Sequence, residues 1–491
     1  MTRNVIAKAL LTDQLDSAVF LTTPDDDPPM TYGDLRDRVA CTAAALVARG
    51  VAPGDRVVCQ LAKAPEGLLL YLATVWAGAV FVPLNPAYTP AEVTYFLQDA
   101  DPALVILDGT TAAAEPGARA QGRQVETALA LCAARVALTP AMPPVPRGDT
   151  DLAAILYTSG TTGRSKGAML THGNLVSNAQ ALCAAWEYQP TDRLIHALPI
   201  FHTHGLFVAV NVTLAAGAQM LFLPGFDLAR IAQGLPGATV LMGVPTFYTR
   251  MIGDPRFDRA ALAGMRLIVS GSAPLLAETH AAFAAQTGHA ILERYGMTET
   301  NMIASNPYAG ERRAGSVGFP LPGVAVRLAR QDDQGIGGIE VLGPNVTPGY
   351  WRAPDKTAET FSADGWFITG DLGQIDPAGY LSIVGRQKDL VISGGFNIYP
   401  KEIESAIDAL PFVLESAVYG VPHRDLGEAV AAAVVLRPEA TADAETLREA
   451  LGHSLARFKI PRHLRFVAEL PRNAMGKVQK NELRNRHTGE P

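Results

Sequence analysis

Short apolar runs rich in β-branched residues alternate with helical stretches along the first two thirds of this 491-residue chain. These runs read LVIL near residue 104, AAILYT at 153, RLIHAL at 193, TVLMGV at 239 and RLIVS at 266. Strands that alternate with helices in this way are typical of βαβ units, whose strands lie parallel in a sheet. The sequence therefore predicts an α/β fold up to about residue 330.

Two other patterns follow this region. Residues 331–385 are rich in Gly and Asp and contain short strand-like runs, which predicts a small β subdomain. Beyond residue 386 the pattern becomes strand–helix–strand–helix, enough for a separate α+β domain. We therefore predict a large N-terminal domain over residues 1–386 and a small C-terminal domain over 387–491.

Charge and cysteine content exclude several classes of partner. The net charge is −7, and the 41 basic and 48 acidic residues are dispersed, so no broad cationic field is available for nucleic acid or an anionic membrane. The four cysteines have no CxxC spacing and are too sparse for a disulfide framework. Asp13 and Asp16 interrupt the N-terminal apolar run, which argues against a secretory signal. We expect a soluble, cytoplasmic protein.

Residues 157–167 read YTSGTTGRSKG, a loop of glycines and small hydroxyl residues directly after a predicted strand. Glycines let the backbone approach a phosphate closely, N–H groups and hydroxyls donate to its oxygens, and a lysine neutralises its charge. The Walker pattern fails because Ser165 precedes Lys166 and Gly167 follows it. An ordinary P-loop kinase or ATPase is therefore disfavoured, and a polar surface turn remains the alternative.

The longer segment YTSGTTGRSKGAMLTH resembles the signature of the adenylate-forming superfamily, which includes acyl-CoA synthetases, nonribosomal adenylation domains and luciferases. The resemblance extends over essentially the whole chain through five further segments: ERYGMTET at 293–300, GWFITGD at 365–371, GRQKD at 385–389, SGGFNIYPKEIE at 393–404 and PRNAMGK at 471–477. It implies ATP and CoA as substrates, Mg²⁺ as the metal, and a C-terminal domain that rotates between two half-reactions.

The resemblance also implies an ATP- and AMP-binding set. Its members are Thr158, Ser159, Gly160, Thr161, Thr162, Gly163, Lys166, Ser272, Ala273, Glu293, Arg294, Tyr295, Gly296, Met297, Thr298, Asp371 and Arg386. Asp371 can accept hydrogen bonds from both ribose hydroxyls, although an isolated TGD is more often a turn. Glu299, a hard oxygen ligand, and Thr161 are expected at Mg²⁺, with the Thr298 hydroxyl on the α-phosphate. The alternative for the segment MTET is a helix cap.

Three C-terminal features carry expectations from the same resemblance. Lys477 is similar to the family's catalytic lysine, which bridges the attacking carboxylate and the α-phosphate, whereas most exposed lysines are solvated surface charges. Lys388 occupies the hinge position. Ser393, Gly394, Gly395 and Phe396 form the loop expected beside the pantetheine arm of CoA, where the glycines would otherwise make an ordinary tight turn.

The segment LPIFHTHGLF places His202 and His204 two residues apart, which on a strand would put both on one face. Because no further ligand follows at a familiar spacing, a zinc site is disfavoured. The family resemblance instead places His204 beside the reacting carboxylate and counts it among the catalytic residues with Lys477, Glu299 and Thr298.

Arg250, Arg294 and Ser272 resemble the residues with which malonyl-CoA synthetases hold the second carboxylate of malonate. A pocket for a fatty or aryl chain does not normally contain an unpaired guanidinium, because burying that charge without an anion is costly. Thr203 and Met302 match positions beside the α-carbon, so they are expected to control tolerance of methylmalonate. The resemblance thus implies formation of malonyl-CoA from malonate, ATP and CoA.

Three alternatives remain open. An acyl-CoA synthetase for another short, aromatic or medium-chain acid would keep the ATP loops and make both arginines structural ion-pair residues. A carrier-protein-loading enzyme would share the first half-reaction. A nucleotide-binding regulator could retain the fold without catalysis, although the joint presence of Lys477, Glu299 and Asp371 argues against it. The sequence does not predict an oligomeric state.

Overall fold

A computed structural model of the chain describes residues 4–12, 14–24, 28–133, 141–158, 165–393, 396–472 and 477–488. The strands in these ranges are β1 Val19–Thr22, β2 Met30–Thr31, β3 Arg56–Gln60, β4 Val80–Leu84, β5 Leu104–Leu107, β6 Gln124–Thr127, β7 Leu152–Thr158, β8 Lys166–Thr171, β9 Arg193–His196, β10 Gln219–Phe222, β11 Val240–Gly243, β12 Leu267–Ser270, β13 Leu292–Met297, β14 Asn301–Ser305, β15 Phe319–Pro320, β16 Ala325–Ala329, β17 Gly337–Leu342, β18 Phe367–Ile375, β19 Leu381–Arg386, β20 Val391–Ser393, β21 Phe396–Ile398, β22 Val413–His423, β23 Gly427–Leu436 and β24 His463–Phe466.

The helices flank these strands and differ widely in length. They are α1 Val5–Ala7, α2 Tyr32–Ala48, α3 Pro65–Trp76, α4 Pro90–Ala100, α5 Glu115–Ala120, α6 Ala128–Ala133, α7 His172–Ala185, α8 Asn211–Ala216, α9 Leu228–Gly234, α10 Pro245–Met251, α11 Ala277–Thr287, α12 Pro354–Ala358, α13 Pro400–Asp408, α14 Ala444–Gly452 and α15 Lys480–Thr488. A π-helical segment, His204–Val210, precedes α8 and contributes to the functional site.

Two largely parallel sheets form the N-terminal region. One has the order β6-β5-β3-β4-β7-β8, with β8 antiparallel to β7. The other has the order β15-β14-β13-β12-β11-β9-β10-β1-β2, parallel from β13 to β1 and antiparallel at both edges. A buried apolar cluster that includes α2, α3 and α7 packs between elements of the two sheets. The α/β class predicted from the alternating runs is confirmed.

The remaining strands form two further sheets. Strands β16-β17-β18-β19 make an antiparallel sheet, which agrees with the β subdomain expected from residues 331–385. Strands β20 to β24, with helices α13 to α15, make the C-terminal α+β unit, which has its own apolar clusters. A 3₁₀ turn, Gln387–Asp389, connects β19 to this unit. The domain boundary at residues 386 and 387 stays a prediction.

Local sequence signals explain individual elements. Helix α2 begins at a capping box in which the Thr31 hydroxyl accepts from the Asp34 N–H and Asp34 accepts from the Thr31 N–H. The apolar segment GLLLYLATVWAGAVFVPL forms most of α3 and all of β4 in the core. In the part of the chain that the structure describes, no helix is both long and apolar enough to cross a bilayer.

Segments that carry predicted site residues follow three strands: β7 in one of the two largely parallel sheets, and β9 and β12 in the other. The segments after β7, β9 and β12 leave the carboxyl ends of their strands, and β7 ends at Thr158 while β12 ends at Ser270. Ligands in open α/β sheets bind outside the carboxyl ends of the strands, where successive loops converge. Thr158, at the end of β7, lies within hydrogen-bond distance of Glu299 in the turn after β13, so the end of β7 meets the other sheet there.

Candidate active site

Asp371 and Arg386 lie opposite each other on the adjacent antiparallel strands β18 and β19. Arg386 Nε is 2.7 Å from Asp371 Oδ1, and Tyr295 Oη donates to Asp371 Oδ2 at 2.5 Å. Desolvation and the Asp371 carboxylate hold the pKa of Tyr295 well above its usual value, so the phenol keeps its proton. Asp371 lies inside β18 and not in a turn, and the strand pairing fixes the position of its carboxylate.

Glu299 lies in the turn between β13 and β14 and is only 5% exposed. Its Oε1 accepts a hydrogen bond from Tyr350 Oη at 2.9 Å and a longer one from Thr158 Oγ1 at 3.5 Å. Because the turn leads into a strand, the helix-cap alternative for this segment does not apply. The Lys166 ammonium lies 5.2 Å from the centre of the Tyr350 ring, so a cation, two hydroxyls and a carboxylate surround one space.

The Glu299 carboxylate fits a bound divalent cation. It makes no ion pair with any described Lys or Arg, and a buried carboxylate without a counter-charge is unfavourable. Carboxylate oxygens are preferred Mg²⁺ ligands, and such sites are completed by phosphate oxygens and water. Among the described residues, no group of three or more His, Cys, Asp or Glu side chains is arranged to hold a metal ion.

Several predicted residues lie outside the described ranges. They are Ser159, Gly160, Thr161, Thr162 and Gly163 of the phosphate loop, and Gly394 and Gly395 of the expected CoA-side loop. The flanking residues are described. Thr158 pairs with Lys166 across β7 and β8, and Ser393 pairs with Phe396 across β20 and β21.

Arg294 carries a buried positive charge that has no anionic partner among the described residues. The residue is 4% exposed, and neither Nε nor Nη2 has a hydrogen-bond partner among the described residues. Its guanidinium lies against the backbone of Gly271, where an added Cβ would lie 2.3 Å from Cζ. Burial lowers the pKa of Arg294 to about 9, which is far below the usual range of this group. A bound anion would compensate this charge.

His204 and Ser272 line the same space. Ser272 Oγ lies 3.2 Å from His204 Nδ1, and Ser272 has a left-handed backbone with φ 70°. Burial, Arg294 and neighbouring histidines lower the pKa of His204 well below its usual value, so the imidazole is neutral at pH 7. Other buried polar atoms here also lack described partners: His204 Nε2, Thr203 Oγ1 and Ser270 Oγ. Such atoms are normally satisfied, which indicates a site shaped for a polar ligand.

His202 and His204 do not lie on a strand, because the chain enters a π-helical segment at His204. The expectation that two-residue spacing would place both rings on one strand face therefore does not apply. Close approach shapes this segment, since a Cβ at Gly205 would lie 1.9 Å from the Pro199 carbonyl oxygen. This segment brings His204 towards Ser272.

Arg250 occupies a different environment from Arg294. It lies near the end of α10, is exposed, and places its guanidinium 5.6 Å from the centre of the Phe226 ring. The structure describes no hydrogen bond between Arg250 and His204, Ser272 or Arg294. Its role in acid binding stays a prediction.

Met302 is buried on β14, and the amide side chains of Asn178 and Asn345 both hydrogen-bond its backbone. Asn178 Nδ2 donates to the Met302 carbonyl at 2.8 Å, and the Met302 N–H donates to Asn178 Oδ1 at 3.2 Å. Gly296, opposite Met302, leaves no room for a side chain, because an added Cβ would lie 2.7 Å from Met302 Cα. Met302 therefore has little freedom to move.

The remaining predicted residues border these groups. Glu293 accepts from the Gly315 N–H at 3.0 Å, and burial raises its pKa to about 7. Met297 ends β13, Thr298 starts the turn to Glu299, and Ala273 follows Ser272. Tyr350 and Asn178 were missed by sequence reasoning, since neither belongs to a recognised motif.

Lys477 reaches the nucleotide region from the C-terminal unit. Protein atoms that crowd its amine, followed by the charges of Arg386, Asp371 and Lys388, set its pKa at about 8. Lys388 lies in the 3₁₀ turn between the two units, and partial burial lowers its pKa as well. The structure thus brings the predicted catalytic lysine towards the Asp371–Arg386 pair.

Comparisons with known proteins agree with this site. Residues 12–351 match the model of the AMP-binding enzyme family, and residues 402–477 match that of the AMP-binding enzyme C-terminal domain. The chain is 38% identical to a sulfoacetate–CoA ligase of Cupriavidus necator, covering 95% of this chain and 94% of that protein. It is 37% identical to a malonate–CoA ligase of Arabidopsis thaliana, with 89% of this chain and 78% of the relative covered.

Solved structures extend the comparison to domain arrangement. ATP-bound MatB from Rhodopseudomonas palustris is 53% identical, superposes with a TM-score of 0.95 and covers 99% of both chains. The apo form of the same protein gives a TM-score of 0.85 at the same identity and coverage. The structure is thus more similar to the ATP-bound form. By its sequence, its fold and the residues at its nucleotide site, the chain belongs to the family of AMP-binding enzymes.

Proposed function

We propose that this protein is an ATP-dependent, AMP-forming acyl-CoA synthetase that converts malonate into malonyl-CoA. The observation that carries the choice of acid is the buried Arg294 guanidinium, which lacks a described anionic partner and lies near His204 and Ser272. The second carboxylate of malonate supplies the missing charge and accepts two parallel hydrogen bonds from a guanidinium. The malonate–CoA ligase relative supports this assignment.

The first half-reaction joins the acid to AMP. One malonate carboxylate oxygen attacks the α-phosphorus, the bond to the β-phosphate oxygen breaks, and diphosphate leaves with the bonding electrons. Asp371 and Arg386 position the ribose, the phosphate loop and Lys166 hold the triphosphate, and Lys477 stabilises charge between the carboxylate and the α-phosphate. Positioning and electrostatic stabilisation provide the catalysis, without a covalent enzyme intermediate.

The second half-reaction transfers the acyl group. The CoA thiol, after loss of its proton, attacks the activated carbonyl carbon; the thioester bond forms and AMP leaves. Rotation of the C-terminal unit about Lys388 would withdraw Lys477 and present the loop from Ser393 to Phe396. The higher similarity to ATP-bound MatB supports assigning the observed arrangement to the first half-reaction.

Magnesium belongs to the same proposal. Glu299, supported by Tyr350, would hold the ion together with phosphate oxygens, and Thr161 is a further candidate ligand outside the described residues. The bound ion would neutralise phosphate charge. The Thr298 hydroxyl and the Lys166 ammonium would then bind the phosphate oxygens that the ion does not contact.

Sulfoacetate is the second candidate acid. A sulfonate carries one negative charge over three acceptor oxygens on a tetrahedral sulfur, and two of these oxygens can accept the hydrogen bonds of Arg294 as a carboxylate does. The relative from Cupriavidus necator supports this candidate. Both candidates share a short carbon spacer and a second anionic group, which separates them from fatty and aryl acids.

A panel of acids tests the assignment through CoA-dependent AMP release. We expect kcat/KM for malonate to exceed that for acetate or hexanoate by about 100-fold or more, because a monoacid leaves the guanidinium uncompensated. Methylmalonate should remain a substrate, since one methyl group near Met302 alters discrimination by only about 1–3 kcal/mol. Equal rates with malonate and hexanoate would refute the choice of acid, and higher activity with sulfoacetate would replace it.

The pH dependence gives a separate prediction for Lys477. Its pKa of about 8 means that the ammonium form predominates below that pH and is lost as the pH rises. We therefore expect kcat/KM for ATP in the adenylation step to fall above about pH 8, because this parameter reports the free enzyme. Bound phosphates favour the charged amine, so kcat should fall only at higher pH. A Lys477→Arg variant should keep a residual kcat/KM for ATP that does not fall in this pH range, because the guanidinium stays charged.

A further inference from the structure

Helix α4 presents two polar side chains, Tyr95 and Asp99, on one face, since residues four apart in a helix lie one above the other. Tyr95 Oη donates to the carbonyl oxygen of Ser165 at 2.7 Å. Tyr157 Oη donates to Asp99 Oδ2 at 2.6 Å. In the sequence, Tyr157 precedes and Ser165 follows the predicted phosphate-binding residues 159–163, so a single helix contacts the chain both before and after them.

Aromatic packing reinforces the contact on the upstream side. The Phe96 ring centroid lies 4.7 Å from that of Tyr157 and 5.0 Å from that of Tyr88. Burial and the Asp99 carboxylate raise the pKa of Tyr157 far above its usual value, so the phenol remains a donor. The hydrogen bond to Asp99 is charge-assisted and joins a tightly packed group, in which such bonds are strongest.

A third connection leads from the same helix to Glu299. The Trp351 indole N–H donates to the Asp99 carbonyl at 3.0 Å, and the Trp351 backbone N–H donates to the Gly167 carbonyl at 2.8 Å. The preceding residue, Tyr350, donates to Glu299. The C-terminal end of α4 is therefore linked to the downstream strand and to the residue that donates to the proposed metal ligand.

We propose that Tyr95 and Asp99 are positioning residues that hold the paired ends of β7 and β8, which flank the predicted phosphate-binding residues, in a fixed position relative to Glu299. Neither residue is among the groups assigned to ATP, acid or CoA, and the inference rests on the proposed function only for the reaction it serves. Since β7 and β8 are joined to each other by strand pairing, the contacts from α4 fix the pair as a unit relative to Glu299. Geometric precision of this kind governs phosphoryl transfer, where small displacements of bound groups are costly.

Three substitutions separate the contacts from general packing. Tyr95→Phe keeps the ring and removes one hydrogen bond, Asp99→Ala removes the acceptor of Tyr157, and Asp99→Asn restores an oxygen acceptor. Acid-free ATP binding by calorimetry should weaken by about 5-fold in Tyr95→Phe and about 10- to 50-fold in Asp99→Ala, as expected for one lost or orphaned hydrogen bond. Asp99→Asn should recover most of the loss, and exposed Gln98→Ala on the same helix serves as the matched control.

Comparison of the half-reactions distinguishes positioning from instability. ATP–diphosphate exchange with malonate should fall with ATP affinity, whereas thioester formation from pre-made malonyl-AMP should stay within about 2-fold of the parent, since no diphosphate is held there. Unchanged ATP affinity in both Tyr95→Phe and Asp99→Ala would overturn the inference, as would equal losses in both half-reactions. If the parent protein binds ATP but shows no ATP–diphosphate exchange in the presence of malonate, the choice of acid is refuted. The ATP affinities of the variants would still test the role proposed for Tyr95 and Asp99.

Discussion

Replacement of Lys477 by alanine should reduce acyl-adenylate formation by at least about 10³-fold while ATP binding survives. A single preorganised donor at a developing charge typically contributes about 10²- to 10³-fold, and a full positive charge at the α-phosphate should contribute at least as much. The charges that shift the Lys477 pKa are those of Arg386, Asp371 and Lys388, so its amine lies within electrostatic range of the nucleotide pocket. Single-turnover formation of malonyl-AMP, measured by rapid quench, gives the relevant rate.

The second half-reaction provides the internal control for this variant. Thioester formation from pre-made malonyl-AMP and CoA should proceed at nearly the parental rate in Lys477→Ala, because this amine serves only the first step. Lys356→Ala removes an exposed lysine from α12 and should leave both rates unchanged. Single-turnover adenylation within about 10-fold of the parent in Lys477→Ala would contradict the assigned role.

Sequence patterns predicted the elements of the fold well, because the periodicity of apolar residues reports directly on burial. The runs at 104, 153, 193, 239 and 266 became β5, β7, β9, β11 and β12 of the two parallel sheets. The Gly- and Asp-rich segment became an antiparallel sheet. The apolar pattern did not predict the π-helical segment that begins at His204, because the conformation there does not follow helix or strand periodicity.

Contacts between distant loops were the main part of the site that the sequence did not predict. Tyr350 and Glu299 are separated by 51 positions, and Asp99 and Tyr157 by 58 positions, yet each pair forms a hydrogen bond. Neither spacing follows from helix or strand periodicity, since chain topology alone brings such residues together. The family motifs identified Glu299 but did not identify Tyr350, whose hydroxyl donates to it.

The two candidate arginines illustrate the same limit. The family resemblance assigned Arg250 and Arg294 together to the second carboxylate of malonate, and sequence alone did not distinguish the burial of the two guanidinium groups. Arg294 proves to be buried against Gly271, while Arg250 is exposed beside Phe226. Burial decides how strongly a charge acts, because solvent and salt screen an exposed group.

Arg294→Met should lower kcat/KM for malonate by about 10²- to 10³-fold, equivalent to the roughly 3–4 kcal/mol that truncating one partner of a buried charge pair costs. Methionine approximates the length of arginine without its charge, so the cavity changes little in volume. Arg250→Met is the matched control. Because Arg250 is exposed, its replacement should raise the malonate KM only several-fold, with an effect that shrinks as salt increases.

Stability and ATP affinity determine whether a loss in Arg294→Met reflects the acid pocket. The ligand-free protein buries this charge without a described counter-ion, so its replacement by an apolar side chain should leave the melting temperature unchanged or higher. Butyrate should improve relative to malonate, because the apolar side chain no longer needs an anion. A fall in acid-free ATP affinity with an unaltered malonate KM would instead assign Arg294 to the nucleotide. A large malonate defect in a variant at least as stable as the parent, together with a gain for butyrate, is the result expected if the second anionic group contacts this guanidinium.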